Sequence, residues 1–139
     1  MSRIARIVYT ARIATTGGRE NGASRSSDGL LDIRLSTPGS MRIGTNPEQL
    51  LAAGWSASFA SAIVSAAHEK KLTLPAGVSI SAEVDLNLGD DGYSLSTRLN
   101  VTLPGVEQNV ARALIEQAHT ICPYSKATRG NVEISINLL

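Results

Sequence analysis

The stretch "GTNPEQLLAAGWSASFASAIVSAA", residues 44–67, decides the fold, because its composition requires a long helix buried on several sides. Asn46 is a favourable N-cap, Pro47 suits the first helical position, and Gln49 stands where its side chain can reach back to the cap's N–H. A helix therefore starts at residue 46 or 47. Leu51, Trp55, Phe59 and Ile63 form a ridge, while Ala52, Ala53, Gly54, Ala57, Ala60, Ala62 and Ala66 fill most of the remaining surface up to His68-Glu69-Lys70-Lys71. Side chains this small let neighbouring backbones approach closely. Three hydroxyls interrupt the apolar surface: Ser56, Ser58 and Ser61. A buried helical serine ordinarily bonds back to a carbonyl one turn earlier, which is the ordinary reading of all three.

The remaining chain reads outward from this helix as strands before it and a hairpin, a second helix and a last strand after it. "RIARIVYTARIAT" alternates Ile7, Tyr9, Ala11 and Ile13 against Val8, Thr10 and Arg12, the period of a half-buried strand. Residues 22–36 read as two further strands joined at the turn Ser27-Asp28-Gly29. "VSISAEVDLNL" and "YSLSTRLNVTL" alternate across the turn "GDDG", which predicts a hairpin. A second helix is expected from near Pro104-Gly105 to Cys122, with Val110, Leu114 and Ile121 on one stripe and Ala111, Ile115, Ala118 and Cys122 on the next; Pro123 is expected to end it. "NVEISINLL" supplies the last strand. The expectation is one α+β domain over residues 1–139, and a helix so apolar all round predicts dimerisation through the helices.

Composition excludes several classes of function. Thirteen basic and twelve acidic side chains leave a net charge of +1, with no basic patch to attract nucleic acid or an anionic membrane. No run of eighteen consecutive apolar residues predicts a membrane span, and "MSRIARIVYT" lacks the apolar core of a signal peptide, so the expected compartment is the cytoplasm. One cysteine cannot form an internal disulfide, and two histidines, His68 and His119, make no usual zinc site, so no metal is expected.

The individual polar residues each have an ordinary reading. Cys122 on an apolar stripe reads first as a small buried hydrophobe, and the helix C-terminus beside it discourages a thiolate. Arg19 in "GGRE" reads as a loop charge, and Glu48 as an acid favoured by the positive end of a helix. "GWSAS" at 54–58 falls one residue short of a nucleophile elbow and lies well inside a helix, where an elbow requires a strand-to-helix turn; a serine hydrolase is therefore disfavoured.

Together, "YTARIATTGGRE", "SSDGLLDIRLSTP", "GTNPEQLLAAGWSASF", "LPAGVSISAEVDL" and "AHTICPYSKATRGNVEISI" resemble the organic hydroperoxide resistance branch of the OsmC/Ohr family of thiol peroxidases, from about residue 8 to the C-terminus. The resemblance implies an OsmC-like α+β fold of antiparallel sheets and two main helices, built as an intertwined homodimer with the active site at its interface. It places the peroxidatic cysteine of the family at Ser58, the resolving cysteine at Cys122, the arginine that approaches the thiolate at Arg19 and the carboxylate that holds it at Glu48. Leu51, Trp55 and Phe59 would line an apolar substrate wall. The implied reaction is reduction of alkyl or fatty-acid hydroperoxides to alcohols with no bound cofactor, recycled by dihydrolipoamide or a lipoylated protein. A hydroxyl in place of the thiol implies that this chain does not turn over. A different class of function is a non-catalytic OsmC-like module holding an apolar ligand at the dimer interface, to which the departure from the family's glycine-rich loop at "STPGSMRIGTN" gives weight.

Overall fold

The computed structural model describes residues 5–139, which divide into two compact units, one up to Pro47 and one from Glu48 to Leu139. The first unit contains β1 (Ile13–Thr16), β2 (Ala23–Ser26) and β3 (Asp32–Arg34), paired antiparallel in that order. The turn joining β2 to β3 is held by Asp28, whose carboxylate accepts from Ser26 Oγ at 2.6 Å and from the Leu30 N–H at 3.0 Å. These hydrogen bonds hold the pKa of the Asp28 carboxyl below its ordinary value, that from Ser26 contributing most. Gly29 follows at φ 74°, a left-handed conformation that glycine adopts without penalty.

The opening strand is much shorter than its alternation predicts. Residues 5–12 form no strand, and Ile7 and Tyr9 are 80% and 77% exposed, so the expected half-burial is not found; Arg3 and Ile4 lie outside the described residues. The period is present, but a strand exists only where a ladder partner meets it; β2 reaches only as far as Arg12, whose carbonyl accepts from the Ser27 N–H at 3.0 Å, and residues 5–11 belong to no strand pairing within the described chain.

α1 (Pro47–Glu69) starts where the Asn46-Pro47 signal puts it and, from Glu48 on, opens the second unit. The unit continues with β4 (Ser79–Gly89), β5 (Gly92–Thr102), α2 (Gln108–Ile121), α3 (Pro123–Thr128) and β6 (Glu133–Leu138). β4 and β5 form the expected hairpin, from Ser79 opposite Thr102 to Gly89 opposite Gly92. β6 lies parallel to β5, with Ser96 beside Glu133 and Val101 beside Leu138, so this sheet is mixed where antiparallel pairing was expected. The reason is the connection: α2 and α3 carry the chain back along the sheet before β6, as a parallel crossover requires.

α2 starts later than Pro104-Gly105 suggests, because Glu107 provides the cap, its carboxylate accepting from the Val110 N–H at 3.1 Å. Pro123 ends α2 and also opens α3, taking the first helical position of a short helix that sequence reading missed. Trp55, Phe59 and Ile63 of α1, Leu99 and Val101 of β5, and Ala111, Leu114 and Ala118 of α2 form one buried core with Leu103 and Cys122. α1 is long and apolar enough to cross a membrane by length and composition, with mean hydropathy 1.5, yet this face is that of a core helix.

The outer face of the hairpin is polar. Arg98 donates two hydrogen bonds to Asp85, at 2.7 and 2.8 Å, and a third to Glu83 at 3.3 Å. These bonds from Arg98, with one from Ser96, hold the Asp85 carboxyl well below the usual carboxylate range.

Candidate active site

The three hydroxyls of α1 behave differently. Ser56 bonds back to the carbonyls of Ala52 at 2.7 Å and Ala53 at 3.2 Å, the ordinary behaviour of a helical serine, and Ser61 is exposed. Ser58 instead turns towards α2: its Oγ lies 3.5 Å from Cys122 Sγ. The polar atom in the middle of the apolar helix is therefore there to meet the chain's single cysteine, across 64 residues of sequence.

Each partner is held by its own element. Ser58 sits half-buried one residue before the fully buried Phe59, which anchors that turn of α1 in the core. Cys122 is completely buried at the joint between α2 and α3, its N–H donating to the Ala118 carbonyl at 2.8 Å and its own carbonyl accepting from Lys126 at 3.0 Å. The joint is thus the end of one hydrogen-bonded helix and the beginning of another, which leaves the cysteine little freedom to move. The 3.5 Å separation puts the two side-chain ends in direct contact, the first condition for a bond between positions 58 and 122.

Arg19 lies half-buried in the loop between β1 and β2, within the first unit. Glu48 is half-buried in the first turn of α1, where a carboxylate is favoured by the helix dipole; along the axis it is about 15 Å from Ser58. Of the residues expected on an apolar wall, Leu51 is half-buried, while Trp55 and Phe59 are wholly enclosed in the chain's own core. No cluster of three histidine, cysteine, aspartate or glutamate side chains able to hold a metal occurs among the described residues.

Two neighbours of the pair were not picked out from the sequence. Tyr124 stacks on Trp55 with ring centroids 6.4 Å apart and planes inclined by 24°. His119, one turn before Cys122 on α2, has a buried Nδ1 without a hydrogen-bond partner, and its backbone carbonyl accepts from the Arg129 guanidinium. Burial and, secondarily, the Arg129 charge push the His119 imidazole below its ordinary value of 6.5. Contact across a joint between helices leaves no periodic trace in sequence, which is why neither neighbour was legible there.

Comparison with known proteins follows the same lines. Residues 37–137 match the model of the OsmC-like protein family. The chain is 42% identical over 137 residues to the organic hydroperoxide resistance protein of Xanthomonas axonopodis pv. citri, covering 96% of both chains. The crystal structure of the organic hydroperoxide resistance protein OhrB of Bacillus subtilis is similar with a TM-score of 0.90 at 36% identity, covering 96% of this chain and all of that one. A structure from Vibrio cholerae, described as a putative organic hydroperoxide resistance protein with captopril bound in one of its active sites, matches at 34% identity with a TM-score of 0.90, covering 98% of this chain and 95% of that one. With its helix-borne Ser58 facing Cys122, the chain belongs to the OsmC family, in the branch of the organic hydroperoxide resistance proteins.

Proposed function

We propose that this scaffold is built for thiol-dependent reduction of organic hydroperoxides to alcohols, and that Ser58 leaves the present chain without the nucleophile for it. The observation that carries the reading is the 3.5 Å approach of Ser58 Oγ to Cys122 Sγ. A cysteine at position 58 would attack one peroxide oxygen while the other departs with the alkyl group as alcohol, leaving a sulfenic acid. Cys122 would then displace that oxygen as water and close a disulfide, which an external dithiol of the dihydrolipoamide type, free or carried on a protein, would reduce by exchange. Arg19 is the cation for the thiolate and the developing alkoxide, and Glu48 the carboxylate that aims it. Leu51 is the best-exposed of the three apolar residues for contact with an alkyl chain.

The same reading takes the working unit as a homodimer in the cytoplasm. It is supported by apolar surface left open on α1, including Ala53, Ala57 and Val64, and by the captopril described in one of the active sites of the Vibrio cholerae relative, which implies more than one site in that protein. Ser58→Cys tests the proposal, with consumption of cumene or tert-butyl hydroperoxide followed in the presence of dihydrolipoamide. The chain with Ser58 is expected to be inert and Ser58→Cys to turn over rapidly. An inert Ser58→Cys protein would defeat the peroxidase reading and leave apolar-ligand binding as the function of the fold.

A further inference from the structure

Gly54 lies one turn before Ser58 on the same face of α1, since residues four apart in a helix stand one above the other. A Cβ at Gly54 would meet the Tyr124 hydroxyl oxygen at 2.6 Å, its Cζ at 3.2 Å and its Cε2 at 3.5 Å. The missing side chain therefore leaves a notch that the phenol occupies. Inside the notch the ring stacks on Trp55, which is completely buried and fixed in the core. Tyr124 itself follows Cys122 by two residues, across Pro123, whose ring fixes the intervening backbone dihedral. The next residue, Ser125, is fully buried, so the start of α3 is clamped on both sides of the phenol.

The geometry points to Tyr124 as a positioning residue for Cys122: the phenol seated over Gly54 registers the α2–α3 joint on α1 and so sets the sulfur of Cys122 against position 58. This rests on the peroxidase reading above and adds to it a residue that acts only in the second half of the reaction. In that half the sulfenic acid at position 58, formed at the expense of an organic hydroperoxide, meets the Cys122 thiol. The S–O bond breaks, the S–S bond forms, and the oxygen leaves as water with the thiol's proton. Attack of peroxide on residue 58 does not involve Cys122, whereas closure of the disulfide depends on where Cys122 is held. Displacement of a reacting atom by about 1 Å slows such a step by on the order of 100-fold.

The test separates the two halves in Ser58→Cys protein treated with one equivalent of tert-butyl hydroperoxide. Sulfenic acid is measured by dimedone trapping in Ser58→Cys/Cys122→Ser protein, and disulfide closure by loss of free thiol in protein retaining Cys122. Gly54→Ala is expected to leave sulfenic acid formation within about twofold and to slow disulfide closure by about tenfold or more. Tyr124→Phe, which keeps the stack and most of the seat, should close nearly normally. Tyr124→Ala should be as slow as Gly54→Ala, and the double variant no slower than either, because both remove the same seat.

A second measurement uses the chain with Ser58 and needs no peroxide chemistry. Alkylation of the buried Cys122 by iodoacetamide should accelerate by about tenfold in Gly54→Ala as the joint loosens. Failure of Ser58→Cys to form sulfenic acid would sink the peroxidase reading alone, because the alkylation result still decides the seating. Unchanged disulfide closure, or unchanged alkylation in folded Gly54→Ala and Tyr124→Ala proteins, would overturn the role assigned to Tyr124.

Discussion

At position 58 the proposed reaction requires a sulfur where this chain carries an oxygen, and the surroundings show what a hydroxyl there keeps and what it loses. It keeps a polar contact with Cys122 at 3.5 Å, so the helix joint has no reason to rearrange. It loses the acidity and the oxidation states of a thiol, and with them any route to a disulfide. A second residue-scale consequence lies one turn away, at His119. Its imidazole is held below 6.5 by burial and then by Arg129, so the folded state prefers it neutral. Above the unfolded value the residue is neutral in both states and costs nothing. As the pH falls through that value the unfolded chain takes up the proton first, and stability is lost down to the folded value, below which the loss is complete. Thermal melts at about pH 7.5 and about pH 5.5 should show a fall in Tm that His119→Gln reduces. Asp85 does not confound this window, because the hydrogen bonds from Arg98 and Ser96 keep its carboxylate ionised well below it. An identical fall in the variant would mean that some other group controls the slope.

At the scale of the element, the end of α1 carries a strain that its beginning does not. Lys71 adopts φ 57°, in the left-handed region, while its N–H donates to the His68 carbonyl at 3.0 Å and the Leu72 N–H reaches back to Ala67 at 2.9 Å. That closure suits glycine, and a side chain there costs about 1 kcal/mol. Lys71→Gly should therefore raise unfolding stability by about 0.5–1 kcal/mol in urea titrations, and a destabilised variant would show that the lysine side chain contributes more than the backbone loses. The same element shows how legibility divides. The start of α1 could be read because Asn46-Pro47 is a local signal, and the β4–β5 hairpin because two alternating runs flank a short turn. β6 could be read as a strand but not as a parallel one, since direction belongs to the crossover and not to the strand's residues. α3 was hidden because Pro123 serves as both terminator and initiator. The alternation in residues 5–12 was real, yet it specifies a face and not a partner. Of the site, the resemblance supplied the pairing of Ser58 with Cys122, whereas the seat of Tyr124 on Gly54 needed coordinates.

For the whole molecule, the question is what covers the apolar surface that each unit leaves open. In the second unit Ala53, Ala57, Ser61 and Val64 follow one another along the exposed side of α1, with Val64 52% exposed, and Leu88 and Tyr93 stand open at the tip of the hairpin. In the first, Ile7, Val8 and Tyr9 are each more than three-quarters exposed. Apolar surface of this extent on a small chain is characteristic of an interface, and side chains as small as alanine and serine suit the close approach of two helices. A second copy of the chain is the occupant expected in the proposed homodimer. Sedimentation equilibrium should then give twice the chain's 14.6 kDa mass. Val64→Arg places a charge at the C-terminal end of the α1 row, where an unpaired buried cation costs several kcal/mol, and should weaken association by at least about 100-fold while the monomer keeps its helical circular dichroism. A native chain that sediments as a monomer would defeat the dimer. A Val64→Arg protein that dimerises as tightly as the parent would move the contact away from α1 and towards the exposed segment of residues 5–12, which Tyr9→Asp would then test in the same cell.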